Sequence, residues 1–202
     1  MTLITLSKPD SSVAEAYRTL RTNLHFAALE APLKTLVMAS PDYAAASADA
    51  VANLAVVCAQ GEKRVIVVDA NLRQPQLHER FGLSNSVGVV EALHGGVPAL
   101  QESKLPGLTV LAAGSASAIA SDAVSSARMA ALLAALCERA DLVLINAAPA
   151  AAFSDAAVLA AGADAALLIV TKGRTRRDAL QQARDAFARA HARLIGAVLM
   201  ES

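Results

Sequence analysis

The sequence predicts an α/β fold, a doubly wound and mostly parallel sheet flanked by helices. Four apolar runs carry the first observation: TLVMAS (35–40), RVIVVDA (64–70), DLVLINA (141–147) and AALLIVT (165–171). Each is short, nearly continuous and rich in Val, Ile or Leu, as parallel strands covered on both faces are. Second, helical stretches alternate with the strands at 46–60, 87–94, 125–139, 155–161 and 174–191, the order expected of βαβ units. Third, the composition is 55% hydrophobic and 3% aromatic, which suits small-residue helices packed on a β-branched sheet. LTVL (108–111) and LIGAVLM (194–200) read as further strands.

Taken in order, the chain opens with a helix that precedes this alternation. SSVAEAYRTLRTNLHFA offers Ser11 and Ser12 as N-caps, and Glu15 stands three residues after Ser12, which fits a capping box. Val13, Tyr17, Leu20 and Leu24 fall on one face, and Glu15, Arg18 and Arg21 form a neighbouring charged row. That row is a candidate interaction handle. Pro32 is expected to close the segment before the first strand. Gly95-Gly96 and GSASAIAS (114–121) read as loops, and TKGRTRR (171–177) as a loop leading into a helix. No repeat or linker divides the 202 residues, so one domain is expected, residues 33–202 forming the core and 1–31 the handle.

Composition excludes several classes. Eighteen basic residues balance eighteen acidic ones, so no overall field draws in nucleic acid or anionic lipid. The start, MTLITLSKPDSS, lacks a signal-peptide pattern, and no uncharged stretch is long enough to span a membrane. A cytoplasmic protein is expected. Cys58 and Cys137 sit in separate apolar helical patterns and read as reduced core thiols. The four histidines are scattered without ligand spacing and read as surface residues.

In a doubly wound sheet ligands lie at the carboxyl ends of the strands, and the informative residues follow the strands here. After the first comes SPDYAAASADAVANLA, after the second VVDANLRQP, and after the third VLINAAPAAAFSDA. This set, with EAYRTLRTNL (15–24) before it and TKGRTRRDAL (171–180) after it, resembles the bacterial tyrosine kinases of capsule and exopolysaccharide synthesis. That family belongs to the MinD/ParA-like branch of phosphate-loop ATPases and uses ATP and Mg²⁺.

The resemblance implies roles that this sequence does not fill. The family's G-x-G-K-[ST] falls on Ala44, Ala45, Ala46, Ser47 and Ala48, without the glycines that wrap phosphate, the lysine that pairs with it, or the hydroxyl that ligates Mg²⁺. A lysine lost beside phosphate forfeits roughly 4 kcal/mol at intermediate dielectric, on the order of a thousandfold in affinity. In the family's D-x-D-x-R, Asp69 and Arg73 remain but Asn71 replaces the second aspartate; Asn146 replaces the aspartate of the third motif. Asparagine keeps the shape but removes the charge a hard cation requires. Asp69 and Arg73 are expected to persist as a structural ion pair, and Asp155 as a helix N-terminal residue. The C-terminal tyrosine cluster of the family is also missing, leaving Tyr17 and Tyr43.

The reading is therefore a non-catalytic relative, with no catalytic residue, metal site or cofactor expected. It implies a regulatory or assembly role in exopolysaccharide export. Through Glu15, Arg18 and Arg21 the chain would meet itself or an active paralogue, and a membrane-anchored adaptor would recruit it to the inner face of the cell membrane. A tyrosine autokinase with altered, weak ATP binding is the alternative, and a MinD/ParA-type positioning protein a remoter one.

Overall fold

The computed structural model describes residues 3–43, 46–115 and 120–201. The expectations placed on Ala44, Ala45 and the centre of the 114–121 loop therefore fall outside the described residues. In chain order the elements are α1 (Ile4–Ser7), α2 (Ser12–Glu30), β1 (Thr35–Ala39), α3 (Ala46–Gln60), β2 (Val65–Asp69), α4 (Leu77–Phe81), α5 (Val89–Leu93), β3 (Gln101–Glu102), β4 (Leu108–Leu111), α6 (Ala120–Val124), α7 (Ala127–Arg139), β5 (Leu142–Asn146), α8 (Asp155–Ala161), β6 (Ala165–Thr171), α9 (Arg177–Arg189) and β7 (Leu194–Met200). Among the described residues the sheet has seven strands in the order β3-β4-β2-β5-β1-β6-β7. All pairings are parallel except β3 with β4.

The continuous apolar runs divide by parity between two cores. Val37 and Ala39, Ile66 and Val68, Val143 and Ile145 face a core built with α5, α7, α8 and α9. Leu36 and Met38, Val65 and Val67, Leu142 and Leu144 face the other, built with α2, α3 and α4. A strand whose two faces are both dry takes polar side chains only where they are hydrogen-bonded, as Thr35, Asp69 and Asn146 are at the strand ends. Every residue of β1, β2 and β5 is buried. The edge strand β7 is half exposed, although its sequence reads like the others.

Two aspartates fasten the entry ends of the strands. Asp164 Oδ2 accepts from the backbone N–H of Lys34 (2.7 Å) and Thr35 (2.8 Å) and from Thr35 Oγ1 (3.0 Å), tying β6 to β1. Asp141 Oδ2 accepts from Arg64 N at 2.9 Å while its Oδ1 meets Arg64 Nη2 at 2.7 Å, tying β5 to β2. With both ladders anchored below, the carboxyl ends above are held in fixed register. The Asn53 that follows the first strand-end segment has a structural role. Asn53 of α3 accepts from Thr5 N (3.1 Å) and Thr5 Oγ1 (2.8 Å) and donates to Asp49 O (2.8 Å). It thereby pins α1, an element the apolar pattern does not announce.

Several expectations are corrected. Ser11 caps α2 by accepting from Ala14 N at 3.2 Å. Glu15 is then one residue too far on for a capping box and pairs instead with Arg18 at 2.8 Å. Tyr17 and Leu24 are buried, but Val13 is 43% exposed. Of the histidines, His78 is half-buried, with Nδ1 sealed from solvent, while the other three are exposed. Cys58 is buried and Cys137 half-buried, both as free thiols.

The Asp141 clamp makes stability depend on pH. Hydrogen bonds from the Arg64 guanidinium and backbone hold the Asp141 carboxyl down at about 2. A carboxyl lowered on folding adds stability above its unfolded pKa of about 3.9, and that stability is lost as pH falls through the folded value. Asp141→Asn is expected to lower the urea midpoint at pH 7 and to match the parent near pH 2, compared by parallel denaturation curves.

Candidate functional site

Register brings the three informative strand ends together. Met38 of β1 lies opposite Asn146 of β5, and Asn146 lies opposite Asp69 of β2. Pairing continues into the loops, with Ala147 N donating to Met38 O (3.0 Å) and Ala150 N to Ser40 O (2.9 Å). The N-terminus of α3 stands over this junction and supplies Ser47.

These ends are joined by a buried chain of hydrogen bonds. Ser47 Oγ donates to Asn146 Oδ1 at 3.0 Å, and Asn146 Nδ2 donates to Asp69 Oδ1 at 2.9 Å. Asp69 Oδ2 accepts from the backbone N–H of Gln76 and Leu77, each at 2.9 Å, where α4 begins. Asp69 is 0% exposed and Asn146 1% exposed. Burial pushes the Asp69 carboxyl up, while the Leu77, Asn146 and Gln76 donors pull it back. A buried carboxylate with three donors is a satisfied group. Asn146 is suited to this position because its amide offers a donor to Asp69 and an acceptor to Ser47, which an aspartate there cannot do.

The Asn71 side chain does not join the chain. Its Oδ1 accepts from Gln74 N at 3.2 Å, closing a local turn. Ala48 is 2% exposed and offers no oxygen. The junction leaves a cavity of about 50 Å³, lined by Ser40, Tyr43, Ser47, Asn71, Gln76 and Asn146 among others. That is room for a water or two, against the ~300 Å³ at which small-molecule pockets begin. Its lining is uncharged. Among the described residues no cluster of three or more His, Cys, Asp or Glu is placed to hold a metal ion.

Charge reappears one layer out, with different partners from those expected. Arg73 does not pair with Asp69. It reaches Asp155, with Nε to Oδ2 at 2.9 Å and Nη2 to Oδ1 at 3.3 Å, a bidentate pair in which Asp155 is 3% exposed. The pairing raises the Arg73 guanidinium above its ordinary value, chiefly through the Asp155 hydrogen bonds. The guanidinium also lies 3.9 Å from the centre of the Phe153 ring, and Tyr43 meets Phe153 edge-on at 6.1 Å and 87°. Asp155 is the first residue of α8, as expected, but its partner lies 82 positions away and was not legible locally.

The charged row of α2 is partly spent inside the chain. Arg21 Nη1 donates to Val57 O of α3 at 2.7 Å, where a carbonyl near a helix C-terminus receives a cation. Gly61 leaves space for it: a Cβ there would stand 3.1 Å from Arg21 Nη1. Glu15 and Arg18 pair on the surface, and Arg18 Nη2 donates to Pro9 O at 2.6 Å.

Comparison with known proteins gives this geometry a family. No protein-family model matches the chain. The tyrosine-protein kinase YwqD of Bacillus subtilis is 33% identical over 200 residues, covering 98% of this chain and 84% of that protein. The tyrosine-protein kinase ptk of Acinetobacter johnsonii is 28% identical over 200 residues; the chain spans 27% of its length. The solved kinase domain of Escherichia coli tyrosine kinase ETK superposes with a TM-score of 0.93 at 29% identity, over 98% of this chain and 79% of that one. At the level of fold alone, the cell division ATPase MinD of Pyrococcus furiosus superposes with a TM-score of 0.69 at 20% identity, over 82% of this chain and 71% of that one. The chain belongs to the bacterial tyrosine-protein kinase family, built on the phosphate-loop ATPase fold.

Proposed function

We propose that this chain is a non-catalytic member of its family, serving as a regulatory or assembly subunit of capsule or exopolysaccharide export. One observation carries the reading: the Ser47–Asn146–Asp69 chain occupies, with its own hydrogen bonds, the place where a nucleotide's metal and phosphates would be met. Both Asp69 oxygens already accept from protein donors. A hard cation takes six or more oxygens with carboxylates among them, and here the one carboxylate, the Asn146 amide and the Ser47 hydroxyl are already engaged with protein donors and acceptors. The donor set does not fit magnesium. Phosphoryl transfer relies on positioning and on neutralisation by metal and lysine, and Ser47 replaces the lysine. The chain acts as a single domain whose α2 surface, at Glu15 and Arg18, meets a second copy or an active paralogue. A membrane-anchored partner brings it to the inner face of the membrane; among the described residues no helix is long and apolar enough to cross one.

Isothermal titration of the chain with ATP and Mg²⁺ is expected to show no binding up to millimolar nucleotide. A micromolar Kd would overturn the reading in favour of a kinase with an altered site. Arg18→Glu is expected to abolish association in sedimentation velocity, with a small fall in melting temperature from the lost Glu15 and Pro9 contacts. Arg21 is a poor probe, because its loss frees the Val57 carbonyl.

Asn146→Asp tests the hydrogen-bond chain directly. It removes the donor to Asp69 and sets a second carboxylate against it in a buried site. The cost is expected to be about 3–5 kcal/mol at pH 7. One of the two carboxyls will have its pKa raised, so the loss should shrink as the pair takes up a proton in acid. Urea denaturation at pH 7 and pH 5 measures both.

A further inference from the structure

The chain has two tyrosines, and the fold treats them oppositely. Tyr17 is 4% exposed, its hydroxyl donates to Met200 Sδ at 3.5 Å, and burial pushes its pKa up. No second active site can reach it. Tyr43 is 59% exposed on the segment after β1, outside any helix or strand. Among the described residues its hydroxyl takes part in no hydrogen bond, so a group added there displaces no partner.

The surroundings of Tyr43 hold an aromatic ring and a paired arginine. Its ring is held edge-on by Phe153, and the same Phe153 ring carries the Arg73 guanidinium on its face. On the other flank, Arg176 N donates to Asp42 Oδ2 at 3.4 Å. That contact brings the backbone of Arg176 beside the tyrosine loop. Lys172 and Arg176 are paired with Glu201 and Asp178. Asp42 and Asp155 are the opposing charges. A phosphate monoester carries nearly two negative charges at neutral pH and three strong acceptor oxygens, and arginine is its preferred partner.

We propose that Tyr43 is the phosphoacceptor of this chain, modified by a separate tyrosine kinase and then held by Arg73. The requirement for a separate enzyme rests on the non-catalytic reading above; Tyr43 as the acceptor does not. In the step, Tyr43 Oη forms a bond to the γ-phosphorus of a nucleoside triphosphate bound in that kinase. The bond from this phosphorus to the β–γ bridging oxygen breaks, and the nucleoside diphosphate leaves. The phenolic proton passes to the kinase's base, and nothing is oxidised or reduced. The new dianion competes with Asp155 for Arg73 and alters the outline of the strand ends, the surface a partner would read.

The test incubates the full chain with the ETK kinase domain and Mg-ATP and maps the phosphate by mass spectrometry. Tyr43 is expected to be modified in the parent chain, with no phosphate on Tyr17 and none in Tyr43→Phe. That variant keeps the ring against Phe153 and should melt with the parent. An unmodified Tyr43, while the same kinase labels a poly(Glu,Tyr) control, overturns the proposal. Labelling of Tyr43 without the added kinase keeps the acceptor and overturns both the requirement for a separate enzyme and the non-catalytic reading. The phosphate resonance then reports its setting: its second ionisation, ordinarily at pH about 6, should lie lower in the folded chain than in urea. An unshifted titration overturns the Arg73 contact.

Discussion

A buried carboxylate governs the centre of this molecule. Asp69 ends the second strand with no exposure to solvent, and an ionised group in that position is tolerated only if every lone pair is answered. The answers come from three directions: the start of α4, the amide of Asn146, and through that amide the hydroxyl of Ser47. Strands β1, β2 and β5, helices α3 and α4, and the loops between them are therefore bound to one group.

The substitutions at this centre make sense as a set. Alanine at position 48 alone would remove one oxygen, and asparagine at 146 alone would remove one charge. Together with Ser47 they make a hydrogen-bonded network around the Asp69 carboxylate, beside a cavity of about 50 Å³. Such a network favours a closed, rigid junction, because opening it exposes unsatisfied polar groups. The charges that remain, Arg73 and Asp155, are shifted outward to the rim with Phe153 and Tyr43.

Much of the fold was readable from the chain. TLVMA, VIVVD and LVLIN lie within one residue of the strands read from hydrophobic continuity, because burial on both faces confines polar residues to the strand ends. Short elements escaped for the opposite reason. α1 has one buried residue, Thr5, and owes its place to Asn53 rather than to apolar periodicity. β3 is two residues long, and α4 is organised by the Asp69 carboxylate. The capping box at Ser12 failed by one position, since Ser11 is the cap and Glu15 turned to Arg18.

Sequence by itself determined the class of fold, the family, and the residue types at each strand end, because these follow from local hydrophobicity and from motifs that run in order along the chain. It also showed which charges were missing. Only the tertiary structure decided what the remaining groups do. Arg73 was matched with its neighbour Asp69 on the chain and found Asp155 instead. Arg21 was read as a surface charge and caps a carbonyl of α3. Two tyrosines equivalent in sequence became one sealed beneath α2 and one presented at the rim. Hydrogen bonds and burial are set by register and packing between distant segments, and a linear pattern carries no record of either.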